Sequence, residues 1–274
     1  LSLRQRSSGP MASTISIGVL AMVVVGIALS VQRIAAERDR ADERARVAQT
    51  VLSFLEDDLL AAADPFAMPG REMTVRQALD RAALQVGERF RDASAEQLAL
   101  RLTLSRLYTA LGAFDQAEPQ ARAALTLAET SLPADVETAR SELADVLVEL
   151  DRLDEASPLI DALPSSQARD LLRSRLAYQR GDYAQAADVL RPYFAPGADP
   201  AAQGIGVTQR LSQSLRMTGA HEEALALIDA ILPRLLQTRG ESHADVMALS
   251  IDRAIVLRHL GRFDEAERAI VAVL

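Results

Sequence analysis

Carboxylate pairs at three expected helix starts, three histidines and one Gly-x-Gly are groups in this sequence of 274 residues whose types could do chemistry. Asp154–Glu155, Glu222–Glu223 and Asp264–Glu265 could divide acid and base work if their surroundings pushed their proton affinities apart. They fall where helices are expected to begin, and a carboxylate there offsets the helix dipole without any catalysis. His221, His243 and His259 could be bases or metal ligands, yet they are isolated from one another along the chain and lack clustered partners. His221 stands where sister motifs carry Phe, Leu or Tyr, so it is assigned to packing. His259 comes just before the last turn of a helix, where a cation or donor is favourable. Gly204-Ile205-Gly206 has no third Gly, no preceding strand and no phosphate-binding Lys, and reads as a turn leading into a helix. No Gly-rich nucleotide loop, strand lysine, His-Arg-Asp or Asp-Phe-Gly of a kinase is present. No catalytic, cofactor-binding or metal-ligating residue is therefore expected, and no cofactor.

Composition narrows the classes further. There is no Cys, so disulfides and thiolate metal sites are ruled out. A net charge of −8 argues against a nucleic-acid surface in these residues. Every basic residue is Arg, and Ala and Leu dominate while aromatics make up 4%, as close-packed helices require.

What must position any functional surface is a motif that recurs five times. A small or turn residue precedes an aromatic or apolar residue, an acidic or polar pair, and Ala. The copies are Gly112–Ala117, Asp151–Ala156, Gly181–Ala186, Gly219–Ala224 and Gly261–Ala266. Each lies between two helical patterns and marks the tight turn of a helix hairpin, with the Ala admitting the partner helix closely. Such hairpins cannot bury their apolar faces alone and must stack into a solenoid.

These residues resemble the tetratricopeptide repeat. Leu104, Ser105, Tyr108, Gly112, Ala117 and Ala124 fit one copy, with Arg101 at the usual aromatic position; Ala254, Leu257, Gly261 and Ala266 fit the last, with Val273 in place of the later Ala. The Ala positions 117, 156, 186, 224 and 266 are spaced 39, 30, 38 and 42 residues apart. Those long spacings, with the lead-in Gly240–Val246, resemble the variant found in kinesin light chains. The resemblance implies an all-α solenoid of about five hairpins over residues 98–274, the last incomplete. Its packing residues are Tyr108, Gly112, Ala117, Ala124, Ala156, Gly181, Ala186, Gly219, Ala224, Gly261 and Ala266, and its surface docks a protein or peptide.

Ahead of the repeats, residues 13–31 carry no charge, and about 19 residues at about 1.5 Å each just cross a bilayer core of about 30 Å. After the flank 1–12, this stretch reads as a single transmembrane helix, with a cleaved signal peptide as its rival. Residues 32–64 read as a juxtamembrane helical stalk. Within it Ala41, Ala45, Ala48, Leu52, Leu55 and Leu59 form a heptad seam; either a homodimer forms through 41–59 or the helix packs on the first repeat. Residues 65–97 form a linker and an adaptor helix. Thr74 with Gln77 and Ser94 with Gln97 read as capping boxes, and Val75, Leu79, Ala82, Ala83 and Val86 as the adaptor's buried face.

The acids Glu142, Asp145 and Glu149 sit in a locally acidic stretch and form a candidate face for a basic or polar peptide; a solvated outer face is the other reading. The order of span, Arg/Glu-rich helix, Val51–Leu60, Ala63-Asp64-Pro65, Thr74–Ala83 and repeats resembles the C-terminal half of bacterial membrane-anchored signalling proteins. Their N-terminal half is a Ser/Thr protein kinase in one set and a winged-helix regulator in another. That resemblance implies a single-pass protein of the inner membrane with extracytoplasmic repeats. Flanking arginines leave the orientation open, because Arg33 to Arg46 are interleaved with acids. Opening at Leu1 and stopping on the apolar Val271–Leu274, the sequence is expected to be an internal piece of a longer chain.

Overall fold

The computed structural model describes residues 38, 45–50, 52–54, 74–195 and 203–271. The chain divides into two units, residues 1–73 and 74–274. In the first, 45–50 and 52–54 are helical, and Thr50 and Ser53 hydroxyls donate to the carbonyls of Arg46 and Thr50 at 3.0 and 3.1 Å. Of the heptad seam, Ala45, Ala48 and Leu52 are exposed, whereas Phe54, which the seam passes over, is 1% exposed. Ala41, Leu55 and Leu59 lie outside the described residues, as do the apolar span 13–31 and residues 65–73 of the linker. Among the described residues no helix is long and apolar enough to cross a membrane.

The described residues of the second unit are helices joined by turns. The adaptor α1 (Val75–Arg89) is followed by the hairpins α2/α3 (Ser94–Ala110, Phe114–Ser131), α4/α5 (Val136–Glu149, Leu153–Asp161), α6/α7 (Gln167–Gln179, Tyr183–Leu190), α8/α9 (Ile205–Met217, His221–Arg239) and α10/α11 (Ala244–His259, Phe263–Val271). Thr74 caps α1 as the sequence suggests: its hydroxyl accepts from Gln77 N at 3.2 Å, and Gln77 Oε1 accepts from Thr74 N at 3.0 Å. The buried face of α1 is Ala78, Leu79, Ala82 and Val86; Val75 is 60% exposed, so the expected stripe is rotated. The second expected box does not form. Ala93 is the N-cap and its carbonyl accepts from Gln97 N at 2.9 Å, which places Ser94 inside the first turn with no capping bond.

All five turns are built alike. In the first, Gly112 N donates to Thr109 O at 2.9 Å and Ala113 N to Tyr108 O at 2.8 Å. The same two bonds recur from Asp151 and Arg152, Gly181 and Asp182, Gly219 and Ala220, and Gly261 and Arg262. This closes the last turn of each first helix as a Schellman motif. Its central residue must be left-handed: φ is 67° at Gly112, 81° at Gly181 and Gly219, 74° at Gly261, and 57° at Asp151. The residue after it is at once the N-cap of the second helix, so three residues reverse the chain.

Four residues on, the motif Ala receives the first full helical turn, as in Ala117 N donating to Ala113 O at 3.1 Å. Ala117, Ala156, Ala186 and Ala224 are completely buried, whereas Ala266 is only half-buried. Spacings of 39, 30 and 42 residues follow second helices of 18, 9 and 19 residues in α3, α5 and α9, whereas the 38 after the 8-residue α7 comes from the longer stretch between Leu190 and Ile205. The shortest, α7, gives way to a 3-10 turn over Arg191–Phe194, where Pro192 cannot continue the helical bonding. A core of Leu190, Val207, Leu211, Leu215, Ile228, Leu249 and Leu257 joins the third to fifth hairpins, each such side chain contributing about 1.5–3 kcal/mol on burial.

Asp151 bears the left-handed conformation at a position where a glycine does so freely. Asp151→Gly is expected to stabilise the fold by about 0.5–1 kcal/mol, and Gly112→Ala to destabilise it by about 1 kcal/mol. An added Cβ at Gly112 meets nothing within 4 Å, so the second effect is one of backbone conformation alone. Urea titrations followed by helical circular dichroism would measure both.

Candidate functional site

Consecutive first helices (α2, α4, α6, α8, α10) pack on one another, while each second helix meets the next hairpin mainly through its first helix. Long side chains span the wider gaps between second helices: Arg122 of α3 reaches Glu155 of α5 at 2.8 Å, and Arg152 reaches back to Glu118 at 2.5 Å. Closer spacing on one side bends a stack toward that side, so the first helices line the inner face.

Polar side chains bridge every junction on that face. Glu142 of α4 accepts from Ser105 Oγ at 2.8 Å and Arg106 Nε at 3.0 Å, both on α2. Arg175 of α6 forks onto Asp145 and Glu149 of α4. Arg210 of α8 lies over the Tyr178 ring of α6, 4.5 Å from its centre. Asp252 of α10 faces Arg216 of α8. Glu142, Arg210 and Asp252 each stand nine positions before the left-handed turn residue, which brings them to equivalent points on successive helices. Burial pushes the Asp145 carboxyl above its ordinary value; Arg175 opposes the rise, while Glu149 and Glu142 add to it. Burial likewise raises Asp252, against Arg216. It lowers Arg210, with Arg175 next in effect.

Over the first three of these helices lies a groove of about 440 Å³. Its walls are Arg106 of α2, Glu137, Thr138, Ser141 and Asp145 of α4, and Arg169, Leu171 and Arg175 of α6. Leu163 and Pro164 of the α5–α6 loop close one end, where Arg169 holds the loop by donating to the Leu163 carbonyl at 3.2 Å. Both signs of charge are present and most are already joined to each other. Such a surface can hold a chain by shape and hydrogen bonds; it presents no acid–base pair poised over a cleft.

Tyr108 is buried, and its hydroxyl donates to Asp80 of α1 at 2.8 Å; burial and that carboxylate push the phenol well above its ordinary range. Ala124 is buried with Ala117, and Gly112, Gly181, Gly219 and Gly261 all take the left-handed turn position. Glu142, Asp145 and Glu149 do share one face, each engaged with a neighbouring first helix. Sequence reasoning passed over their cations, Arg106 and Arg175, and the Arg210–Tyr178 contact; reading each first helix backward from its turn would have found them. It also kept the histidines apart, whereas His221 and His259 stack with ring centres 4.8 Å apart. Gly204 is the N-cap of α8, the helix-leading role assigned to it. Among the described residues no three His, Cys, Asp or Glu side chains gather as a metal site would need.

The tetratricopeptide repeat family model matches residues 167–192 and 247–270, the turns and flanking helices of the third and fifth hairpins. The chain thus carries tetratricopeptide repeats over these residues, a repeat type that generally binds protein partners. Among solved structures it is similar to the nearly identical TPR-like repeats of a Podosopora anserina chain assigned as a kinesin light chain. A single-substitution form of that chain is 17% identical, over 65% of this chain and 92% of that one, with a TM-score of 0.50. Its parent form gives 17% identity, 65% and 93% coverage and a TM-score of 0.49. BtubC (BKLC) from P. vanneervenii gives 17% identity, 84% and 89% coverage and a TM-score of 0.48. Likeness at this identity speaks for the fold alone. No curated protein matches the chain.

Removing Arg175 would leave Asp145 and Glu149 facing Glu142 without their cation. Because the folded-state value of Asp145 is already raised, its favourable contribution is complete below its unfolded value and is lost as pH rises through the folded one. Arg175→Leu lifts that folded value further. The variant is expected to lose about 1–3 kcal/mol at neutral pH, less near about pH 4 where carboxylates protonate, and to recover in part with Asp145→Asn. Urea midpoints at the two pH values would show this.

Proposed function

We propose that this protein docks a segment of another protein along the inner groove over α2, α4 and α6, and that it serves as the membrane-tethered sensory or scaffolding arm of a bacterial signalling protein. The observation that carries the docking reading is the first-helix face itself: a groove rimmed by hydrogen-bonding side chains, Thr138, Ser141 and Arg106 among them, on a stack with no constellation for catalysis among its described residues. The uncharged run 13–31 supports the tether, and the following heptad-like residues 41–59 supply a seam through which two copies would pair. The order of span, stalk, adaptor and repeats supports an inner-membrane protein with its repeats outside. The same order supports a second reading of the whole: the C-terminal portion of a transmembrane Ser/Thr protein kinase or of a winged-helix transcriptional regulator.

A photo-reactive amino acid placed in living cells at Thr138 or Ser141 is expected to cross-link one discrete partner, and the same group at the outward Asp154 is not. Equal products from all three positions, or none from the groove, would overturn the docking proposal. The tether is tested separately. The full chain should sediment with membranes and resist high-salt extraction, and a variant lacking residues 13–31 should not; retention of the deleted form would remove that element.

A further inference from the structure

The fourth and fifth hairpins meet at a pair of imidazoles. His221 is the first residue of α9 and His259 the last of α10, and their rings stack nearly parallel, 14° apart in plane with centres 4.8 Å apart. The corresponding first residues of the other second helices are Phe114, Leu153, Tyr183 and Phe263, so this is the hairpin in which an apolar or phenolic side chain is replaced by a titratable ring. Two neutral imidazoles stack much as two aromatic rings do; two charged ones repel.

The surroundings favour neutrality. His221 Nδ1 is sealed from solvent and has no hydrogen-bond partner. The groups around the pair come from every helix packed against it. His259 lies exposed at the end of α10; partial desolvation, then the facing His221, Arg216 of α8 and Arg258 of α10 itself, hold it below its ordinary value. The nearby carboxylates are engaged elsewhere. Glu222 of α9 acts on Arg262 at the head of α11, which is itself bonded to Glu265 at 2.7 and 2.8 Å, and Asp252 of α10 faces Arg216. No carboxylate forms an ion pair or hydrogen bond with either ring among the described residues.

We propose that the His221–His259 stack makes the joint between the fourth and fifth hairpins acid-labile, so that a proton on His259 parts the rings and loosens α10 and α11 from α8 and α9. The sign follows from linkage. A histidine held below its ordinary value stabilises the fold above its unfolded value, and that contribution is lost as pH falls through the folded one. The window therefore opens downward from the ordinary histidine value of 6.5. Loosening would uncover Leu249, Val256 and Leu257, which belong to the core shared with α9. This device stands on the joint alone and does not depend on the groove or its partner.

Hydrogen exchange on the full chain at about pH 7.5 and about pH 5.5, expressed as protection factors, tests it. Residues 244–271 of the wild type are expected to lose protection relative to α2 and α3 by about threefold or more at the lower pH. His221→Phe, a residue the fold already accepts at positions 114 and 263, should abolish that selective loss, and His259→Gln should reduce it. His243 is retained in both variants, so any effect of its own titration is common to all three proteins. The proposal is overturned if the wild type shows no selective loss, or if His221→Phe shows the same loss as the wild type.

Discussion

At the fourth residue of each second helix sits an alanine that makes the first full helical bond, back to the N-cap carbonyl. In four of the five hairpins it is sealed from solvent. A larger side chain there would push the two helices apart and misalign every contact beyond. The Schellman turn just upstream is the other half of this constraint, because it lets three residues reverse the chain at fixed geometry. Turn and alanine together make each hairpin a rigid unit with one apolar flank, and rigid units with one apolar flank stack. Curvature, the inner face and the groove upon it are consequences of that pairing.

Much of this is legible in the sequence because it is local. A left-handed residue announces itself as Gly, and an alanine at a fixed distance from it follows from helical geometry. Asp151 is the instructive case. It carries the same φ as the glycines, yet only the surrounding motif marks it as a turn residue. What could not be read locally was the pairing of charges across helices from different hairpins. Glu142 and Arg106 are 36 residues apart, Arg175 and Asp145 are 30 apart, and nothing in either segment names the other. The stripe of α1 was misjudged for a related reason: Val75 suits a buried position by type, but the rotation of the helix is set by what α2 offers, and Ala78 takes the place instead.

Those cross-hairpin charges alter what the inner face can recognise. An acidic cluster read from the sequence invites a basic ligand, but here each acid is already within hydrogen-bonding reach of a cation on the adjoining helix. A ligand's charge would have to displace an existing partner, and exchanging one partly solvated ion pair for another yields little net free energy. A segment docked as proposed would then draw its binding energy from apolar contact, with Leu163, Leu171 and Leu172 in the groove, and from hydrogen bonds to Thr138 and Ser141. The polar ladder sets the spacing of the helices and so the shape of the groove, which is a contribution to selectivity more than to affinity.

Uneven hairpins give the two ends of the stack different characters. The first joint, α3 against α5, is braced on its outer side by Arg122, Glu118, Arg152 and Glu155, four alternating charges in one closed circuit. Among the described residues the last joint, α9 against α10, carries the pairs Asp229–Arg253 at 2.6 Å and Arg239–Asp245 together with the histidine stack. Toward α11 burial also thins: Phe263 is 65% exposed, and no residue of that helix is fully buried. In a linear array each hairpin draws stability only from its neighbours, so opening should begin at the fifth hairpin and proceed inward. A titratable stack placed at its joint therefore sits where a small change in interaction energy moves the equilibrium most, while the same pair buried between the first two hairpins would be overruled by its surroundings.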